Sequence, residues 1–113
     1  MSRDDAYLLD ILVAARKALH FNANVSWERF QDDELLQNAT MRMIEIVGEA
    51  SARVSQQLKS ARPEIPWAHM AGMRNRLVHE YFRVDLRSVW DTVQDDIPRL
   101  ISLLEPLVPK PTE

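Results

Sequence analysis

The stretch DELLQNATMRMIEIVGEASARVSQQLKS, residues 33–60, decides the fold of this chain. Its apolar residues recur every three or four positions, which is the spacing of one face of an α-helix. These are Leu35, Leu36, Ala39, Met43, Ile46, Val47, Ala50, Val54 and Leu58. Asp32, Asp33 and Glu34 place negative charge at the N-terminal end, where the helix dipole favours it. The pattern predicts one long helix over 33–60, whose apolar face must be covered by other helices.

Gly48 lies near the middle of this predicted helix. A glycine in a helix interior costs about 1 kcal/mol relative to alanine. Close approach of a second helix, which a side chain would prevent, is the usual compensation. We therefore expect another helix to pack against the long helix at Gly48.

The sequence before residue 33 predicts one further main helix and a short one. Ser2 and Asp5 have the spacing of a capping box, which opens a helix over about 4–22. Ser26 can then cap a short helical turn through Trp27 and Phe30.

The sequence after residue 60 predicts two more main helices. Pro66 fits the first turn of a helix over about 66–81, because that position needs no N–H donor. Asp85 is the expected N-cap of a last helix over about 86–105. Pro98 should kink or split this last helix, since proline cannot donate a backbone hydrogen bond.

Composition agrees with an all-α protein. The 113 residues include 46% hydrophobic residues, only two glycines and no cysteine. There is no strand-like alternation and no internal repeat, so the prediction is a four-to-five-helix up-down bundle. We expect one domain over 1–105 and a flexible proline-rich tail over 106–113. The polar N-terminus and the lack of an apolar run of about 20 residues predict a cytoplasmic protein without membrane contact.

The octapeptide Arg74-Asn75-Arg76-Leu77-Val78-His79-Glu80-Tyr81 is the main functional signal. On a helix of about 100° per residue, Asn75 and His79 lie about 40° apart, one turn along one stripe. Arg74 lies about 140° from His79, and Tyr81 about 20° to the other side of Arg74. One arc of the helix would therefore carry a permanent cation, an imidazole, an amide and a phenol. These groups suit the binding of a phosphate and the transfer of a proton beside it.

Charge is unevenly distributed along the chain, whose net charge is −3. Residues 1–52 carry five basic and nine acidic side chains, residues 53–87 seven and three, and residues 88–113 two and five. The octapeptide thus lies in the one basic third. A local anion site is consistent with this pattern, whereas a general coat for nucleic acid, which needs many phosphate contacts, is not.

The octapeptide and its neighbours resemble a known family. R-x-x-x-x-H-x-Y on a late helix of a small helical bundle is similar to the HEPN superfamily and, within it, to the HepT-like toxins. The resemblance extends over about residues 4–105. Three further segments carry it: Gly48-Glu49-Ala50, Ile65-Pro66-Trp67, and Val84-Asp85 with Val89-Trp90-Asp91.

The resemblance implies a metal-independent endoribonuclease that acts as a homodimer, with the motif helices of two subunits lining one cleft. It implies Arg74 and His79 as catalytic residues, Asn75 as a supporting residue, and RNA, rather than DNA, as the substrate. It implies no cofactor and no metal, and the three histidines lack metal-ligand spacing. It also implies the toxin of a type VII toxin–antitoxin system, whose partner is an MntA-type nucleotidyltransferase antitoxin that attaches AMP to Tyr81.

Two other interpretations of the same residues remain open at this stage. The chain could be a non-catalytic helical partner of a nucleotidyltransferase that binds nucleotide through Arg74 and Tyr81. Alternatively, Arg74 and His79 could contribute only to stability or dimerisation. Substitution of His79 distinguishes the nuclease from both of these interpretations, because only a nuclease needs proton transfer by its imidazole.

Overall fold

The structure, a computed structural model described for residues 2–109, is built from α-helices, and these residues contain no strand. The α-helices are α1 (Arg3–Phe21), α2 (Trp27–Asp32), α3 (Glu34–Arg53), α4 (Gln56–Ala61), α5 (Trp67–His79), α6 (Leu86–Asp91) and α7 (Ile97–Leu104). A π-helical segment, Thr92–Asp96, joins α6 to α7, and 3-10 turns are formed by Tyr81–Arg83 and Glu105–Leu107. The predicted all-α bundle is confirmed.

Helix α3 is the central element of the bundle, since it packs against both α1 and α5, and α7 packs along α1. Two apolar clusters hold these helices together. The first joins α1, α3, α7 and the start of α5, and includes Leu8, Ile11, Val47, Ile65, Trp67, Met70, Leu100 and Leu104. The second joins α2, α3, α6 and the end of α5, and consists of Phe30, Leu36, Ile44, Met73, Leu77, Val89 and Val93. Because burial of one such side chain stabilises by about 1.5–3 kcal/mol, both ends of α5 are held firmly.

Three predicted helix starts are confirmed by their cap hydrogen bonds. The Ser2 hydroxyl accepts from the Asp5 N–H at 3.1 Å, and the Asp5 carboxylate accepts from the Ser2 N–H at 3.4 Å. The Ser26 hydroxyl caps α2 by accepting from the Arg29 N–H at 3.1 Å. Asp85 caps α6 by accepting the N–H of the second helical residue at 3.1 Å.

The prediction of a single helix over 33–60 was wrong in one respect, because the helix is interrupted between α3 and α4. Val54 leaves the helix with extended backbone angles and is 3% exposed, and Ser55 caps α4. Asp4 of α1 stabilises this break by accepting the Ser55 N–H at 2.9 Å and its hydroxyl at 2.5 Å. The hydroxyl bond, followed by the backbone bond, lowers the pKa of Asp4.

The helix predicted over 66–81 is shorter than expected at both ends. Pro66 is the N-cap and not the first helical residue, and the helix ends at His79 with Glu80 as its C-cap. The Arg83 N–H then donates to the Glu80 carbonyl at 2.7 Å, which winds the next three residues into a 3-10 turn. Tyr81 therefore does not continue α5, and its predicted place on the helical wheel was wrong.

The helix predicted over 86–105 is divided as Pro98 suggested. A π-helical segment ends just before α7, and the Ile97 N–H donates to the Thr92 carbonyl five residues back. Pro98 occupies the first turn of α7, where a missing N–H costs little. Of the predicted tail, Leu107 and Val108 pack against the first apolar cluster, while residues 110–113 lie outside the described residues.

Within residues 2–109, no helix combines the length and apolar character that crossing a membrane requires.

Candidate active site

Helix α5 presents the octapeptide in three directions. Its core side is formed by Met70, Met73 and Leu77, which are 6–8% exposed. On the opposite side, Asn75 and His79 are exposed to solvent and form an outward crest. Arg74 lies on the flank of α5 that faces α3, and Arg76 lies on the flank that faces α6. The helix thus separates its polar groups by direction, as the 3.6-residue period requires.

Gly48 of α3 explains how Arg74 is placed. A Cβ atom built on Gly48 would lie 2.5 Å from the Met70 carbonyl oxygen and closer still to the Cβ of Arg74. The expected close approach at Gly48 is confirmed, and its partner is the turn of α5 that carries the motif arginine. The backbone of Arg74 therefore rests directly on α3 and has little freedom to shift.

The guanidinium of Arg74 is half-buried and carries an incomplete set of hydrogen bonds. Its Nη1 donates to the Asn75 Oδ1 at 3.3 Å, and its buried Nε–H has no partner within the described residues. No carboxylate of these residues lies within 4.0 Å of it. The half-exposed guanidinium thus keeps N–H donors that no described residue occupies, and such donors can bind the oxygens of an anion.

His79 is the last residue of α5, and its exposed imidazole makes no hydrogen bond or ion pair with any residue the structure describes. Asn75 lies one turn earlier on the same stripe, but its carbonyl oxygen accepts from Arg74 and not from the imidazole. Arg74 and His79 point about 140° apart round α5. A single phosphate therefore meets these two groups from clearly different directions.

The backbone of Tyr81 opens the 3-10 turn that follows α5, and its side chain lies outside what the structure describes. The turn places this residue beyond the end of the helix, on a separate short element. The other predicted site residues all belong to α5 itself.

Two other polar side chains near α5 have partners outside the motif. His69 lies 3.3 Å from Asp96 of the π-helical segment, and Glu49 pairs with Arg53 along α3 at 3.8 Å. Across the described residues, no group of three or more histidine, aspartate or glutamate side chains is arranged to hold a metal ion. The candidate site therefore consists of Arg74, Asn75 and His79.

Comparison with known proteins identifies the class. Residues 11–107 match the family described as Ribonuclease HepT-like, and this chain belongs to that family. A protein of Thermococcus cleftensis, named "Probable ribonuclease HepT", is 44% identical over 101 residues, covering 89% of this chain and 92% of its own length. No solved structure matches the chain.

Two more relatives extend the comparison. A protein of Methanocaldococcus jannaschii, named as a candidate RNase, is 34% identical over 102 residues, covering 88% of this chain and 94% of its own. A candidate RNase of Caldanaerobacter subterraneus subsp. tengcongensis is 34% identical over 104 residues, covering 92% and 93%. The match spans nearly the whole of each protein, so the resemblance to HepT-like ribonucleases is confirmed at the level of the family.

Proposed function

We propose that this protein is the toxin of a type VII toxin–antitoxin system and cleaves RNA without a metal ion. One observation carries the proposal within a HepT-like ribonuclease family. Among the described residues, Arg74 of α5 has no carboxylate partner, and the exposed His79, five residues later, makes no hydrogen bond or ion pair. Arg74 and His79 are the groups assigned to catalysis. Asn75 supports Arg74 through the 3.3 Å hydrogen bond.

The proposed reaction uses the ribose 2′-hydroxyl as the nucleophile. A base removes its proton, the oxygen attacks the adjacent phosphorus, and an acid protonates the departing 5′-oxygen. His79 takes one of these proton-transfer roles, which typically contributes about 10²–10⁴ in rate. Arg74 donates to the phosphate oxygens, where negative charge accumulates in the transition state.

The directions of these two side chains support a homodimer. Since Arg74 and His79 of one helix diverge by about 140°, one phosphate is better served by His79 of one copy and Arg74 of the other. A two-fold axis close to the ends of the two α5 helices would create two such combinations in one cleft.

Mixing two inactive variants tests this arrangement. Arg74→Ala and His79→Ala dimers, denatured and refolded together, are expected to regain up to about one quarter of the parent's activity, because half of the dimers are mixed and each keeps one of two symmetric combinations. The measurement is RNA cleavage by the mixture against each variant refolded alone. No recovery in a mixture shown by mass spectrometry to contain mixed dimers would refute catalysis shared between subunits.

The antitoxin is proposed to be an MntA-type nucleotidyltransferase that transfers AMP to the Tyr81 hydroxyl. The modification adds a negative phosphodiester and a nucleoside two residues beyond His79. The new anion competes with RNA for Arg74, and the nucleoside obstructs the cleft, so a change of local charge switches the toxin off.

The decisive experiment is an RNA cleavage assay in EDTA with the unmodified protein, whose intact mass is checked first. Cleavage is expected to persist in the chelator. The double variant Arg74→Ala/His79→Ala controls for contaminating nuclease. A dimeric, unmodified parent that cleaves none of several RNA types would reject the nuclease and favour the non-catalytic nucleotide-binding partner.

A further inference from the structure

A second polar site lies beside the catalytic motif, in a cleft of about 180 Å³ between α5 and the segment 83–89. Its floor is apolar and is formed by Met73, Leu77, Val84 and Val89. Its rim is charged and carries Arg76 and Glu80 from α5 and Arg83 from the 3-10 turn. An apolar floor under a rim with two guanidinium groups matches the two parts of a nucleotide, a flat base and a phosphate.

The two rim arginines make no ion pair with any described residue. Neither Arg76 nor Arg83 has a carboxylate within 4.0 Å in the part of the chain described. The nearby Arg87 differs, because its Nε lies 3.1 Å from Asp91 and its guanidinium stacks 5.0 Å from the centre of the Trp27 ring.

Asp85 borders the same cleft but is already engaged. Its Oδ1 accepts the Arg87 N–H at 3.1 Å, and its Oδ2 accepts the Ser88 hydroxyl at 3.0 Å. Glu80 is thus the only acidic side chain of the lining without such a commitment among the described residues. The two arginines and two carboxylates of the lining balance in formal charge, but Asp85 is held at the start of α6 by its two hydrogen bonds, which leaves the guanidinium groups of Arg76 and Arg83 free to meet a phosphate.

The cleft is next to His79 on the side away from Arg74. Arg76 precedes His79 by three residues, so the two side chains lie about 60° apart and their Cβ atoms about 5–6 Å apart. Arg74 lies on the opposite flank of the same crest, against α3. A strand that crosses α5 at His79 would therefore pass from Arg74 on one flank into the cleft on the other.

We propose that this cleft binds the nucleotide that adjoins the scissile phosphate in single-stranded RNA. Arg76 and Arg83 hold its phosphate, and its base lies on the apolar floor. The base must be unpaired to reach that floor, which makes the cleft a selector for single-stranded or frayed segments. This inference rests on the proposed ribonuclease activity and adds a substrate subsite to it.

Glu80 provides a test in which the expected change in RNA affinity is opposite to that for the arginine variants. It shares the rim with Arg76, one helical turn later, and it repels a bound phosphate. Glu80→Gln keeps the shape of the side chain and removes the charge. This variant is expected to bind RNA about threefold more tightly, a change that lost folding or lost packing cannot produce.

The main experiment measures binding and cleavage separately. Binding of a short fluorescein-labelled single-stranded RNA is followed by anisotropy in the His79→Ala background, where the RNA is not cut. Adding Arg76→Ala/Arg83→Ala is expected to weaken binding about tenfold and to make the slope of log K against log salt shallower by about 0.7, the value for one lost phosphate contact on a single strand. In the cleaving protein, KM should rise by a similar factor while kcat changes less than about twofold.

Arg3→Ala/Arg99→Ala is the matched control, because it removes two exposed arginines of α1 and α7 that have no ion pair within residues 2–109. Its KM and salt slope should equal those of the parent. A parent that cleaves RNA while Arg76→Ala/Arg83→Ala has unchanged KM and salt slope would overturn the subsite alone. If KM and the salt slope are unchanged but Arg76→Ala/Arg83→Ala alters the association state, the cleft is instead a contact between protein chains. A parent that neither binds nor cleaves RNA would overturn both proposals.

Discussion

Replacement of His79 by alanine is expected to lower the rate of RNA cleavage by about 10²–10⁴-fold, the usual contribution of a positioned acid or base. Folding should not change, because His79 is exposed at the end of α5 and its ring makes no hydrogen bond or ion pair with a described residue. The measurement is kcat/KM on one RNA in EDTA, with circular dichroism and sedimentation to establish unchanged structure and assembly.

The other two histidines provide internal controls. His20 lies in the last turn of α1 and is exposed, and His69 is exposed and lies 3.3 Å from Asp96. Both are outside the proposed cleft, so His20→Ala and His69→Ala should cleave RNA at close to the parent's rate. A His79→Ala protein that cleaves as fast as these controls would exclude proton transfer by this imidazole. Arg74 would then serve in nucleotide binding instead, as the non-catalytic interpretation of the sequence holds.

Local signals in the sequence were sufficient for most of the fold. The apolar spacing of α1, α3 and α7 and the caps at Ser2, Ser26 and Asp85 each depend on residues within a few positions. The break after α3 could not be predicted in this way. The break is stabilised by Asp4, which accepts hydrogen bonds from Ser55, 51 residues away in the sequence. A contact over that distance cannot be predicted from a local sequence pattern.

The candidate site was predictable to the extent that helical geometry alone determines it. The common stripe of Asn75 and His79 follows from their spacing, and both are exposed. The end of α5 at His79 was missed, because Leu77, Val78 and Tyr81 continue an apparently helical pattern until the 3-10 hydrogen bond from Arg83 replaces it. The support of Arg74 by Gly48 was missed for a different reason. The sequence indicates that Gly48 touches a helix, but the register of the two helices comes from tertiary packing.

The close packing of α5 against Gly48 of α3 predicts the second large effect, which is that of Gly48→Ala. Alanine has a helix propensity better than that of glycine by about 1 kcal/mol. Here its Cβ would lie 2.5 Å from the Met70 carbonyl oxygen, and neither that backbone nor the Cβ of Arg74 can move without displacing α5. Overpacking of this kind costs about 1–3 kcal/mol, so the free energy of unfolding should fall despite the propensity gain. Thermal or urea unfolding measures the change.

Activity should fall further than stability in this variant. A displacement of about 1 Å of a positioning group can reduce the rate about 10²-fold, and Arg74 would be displaced directly. Gly72→Ala is the matched control, because it makes the same change in α5 with no atom of another element within 4 Å of the new methyl group. It should raise the free energy of unfolding by about 0.5–1 kcal/mol. If Gly48→Ala were as stable and active as Gly72→Ala, α3 and α5 could separate at little cost, and close packing on α3 would not be what positions Arg74.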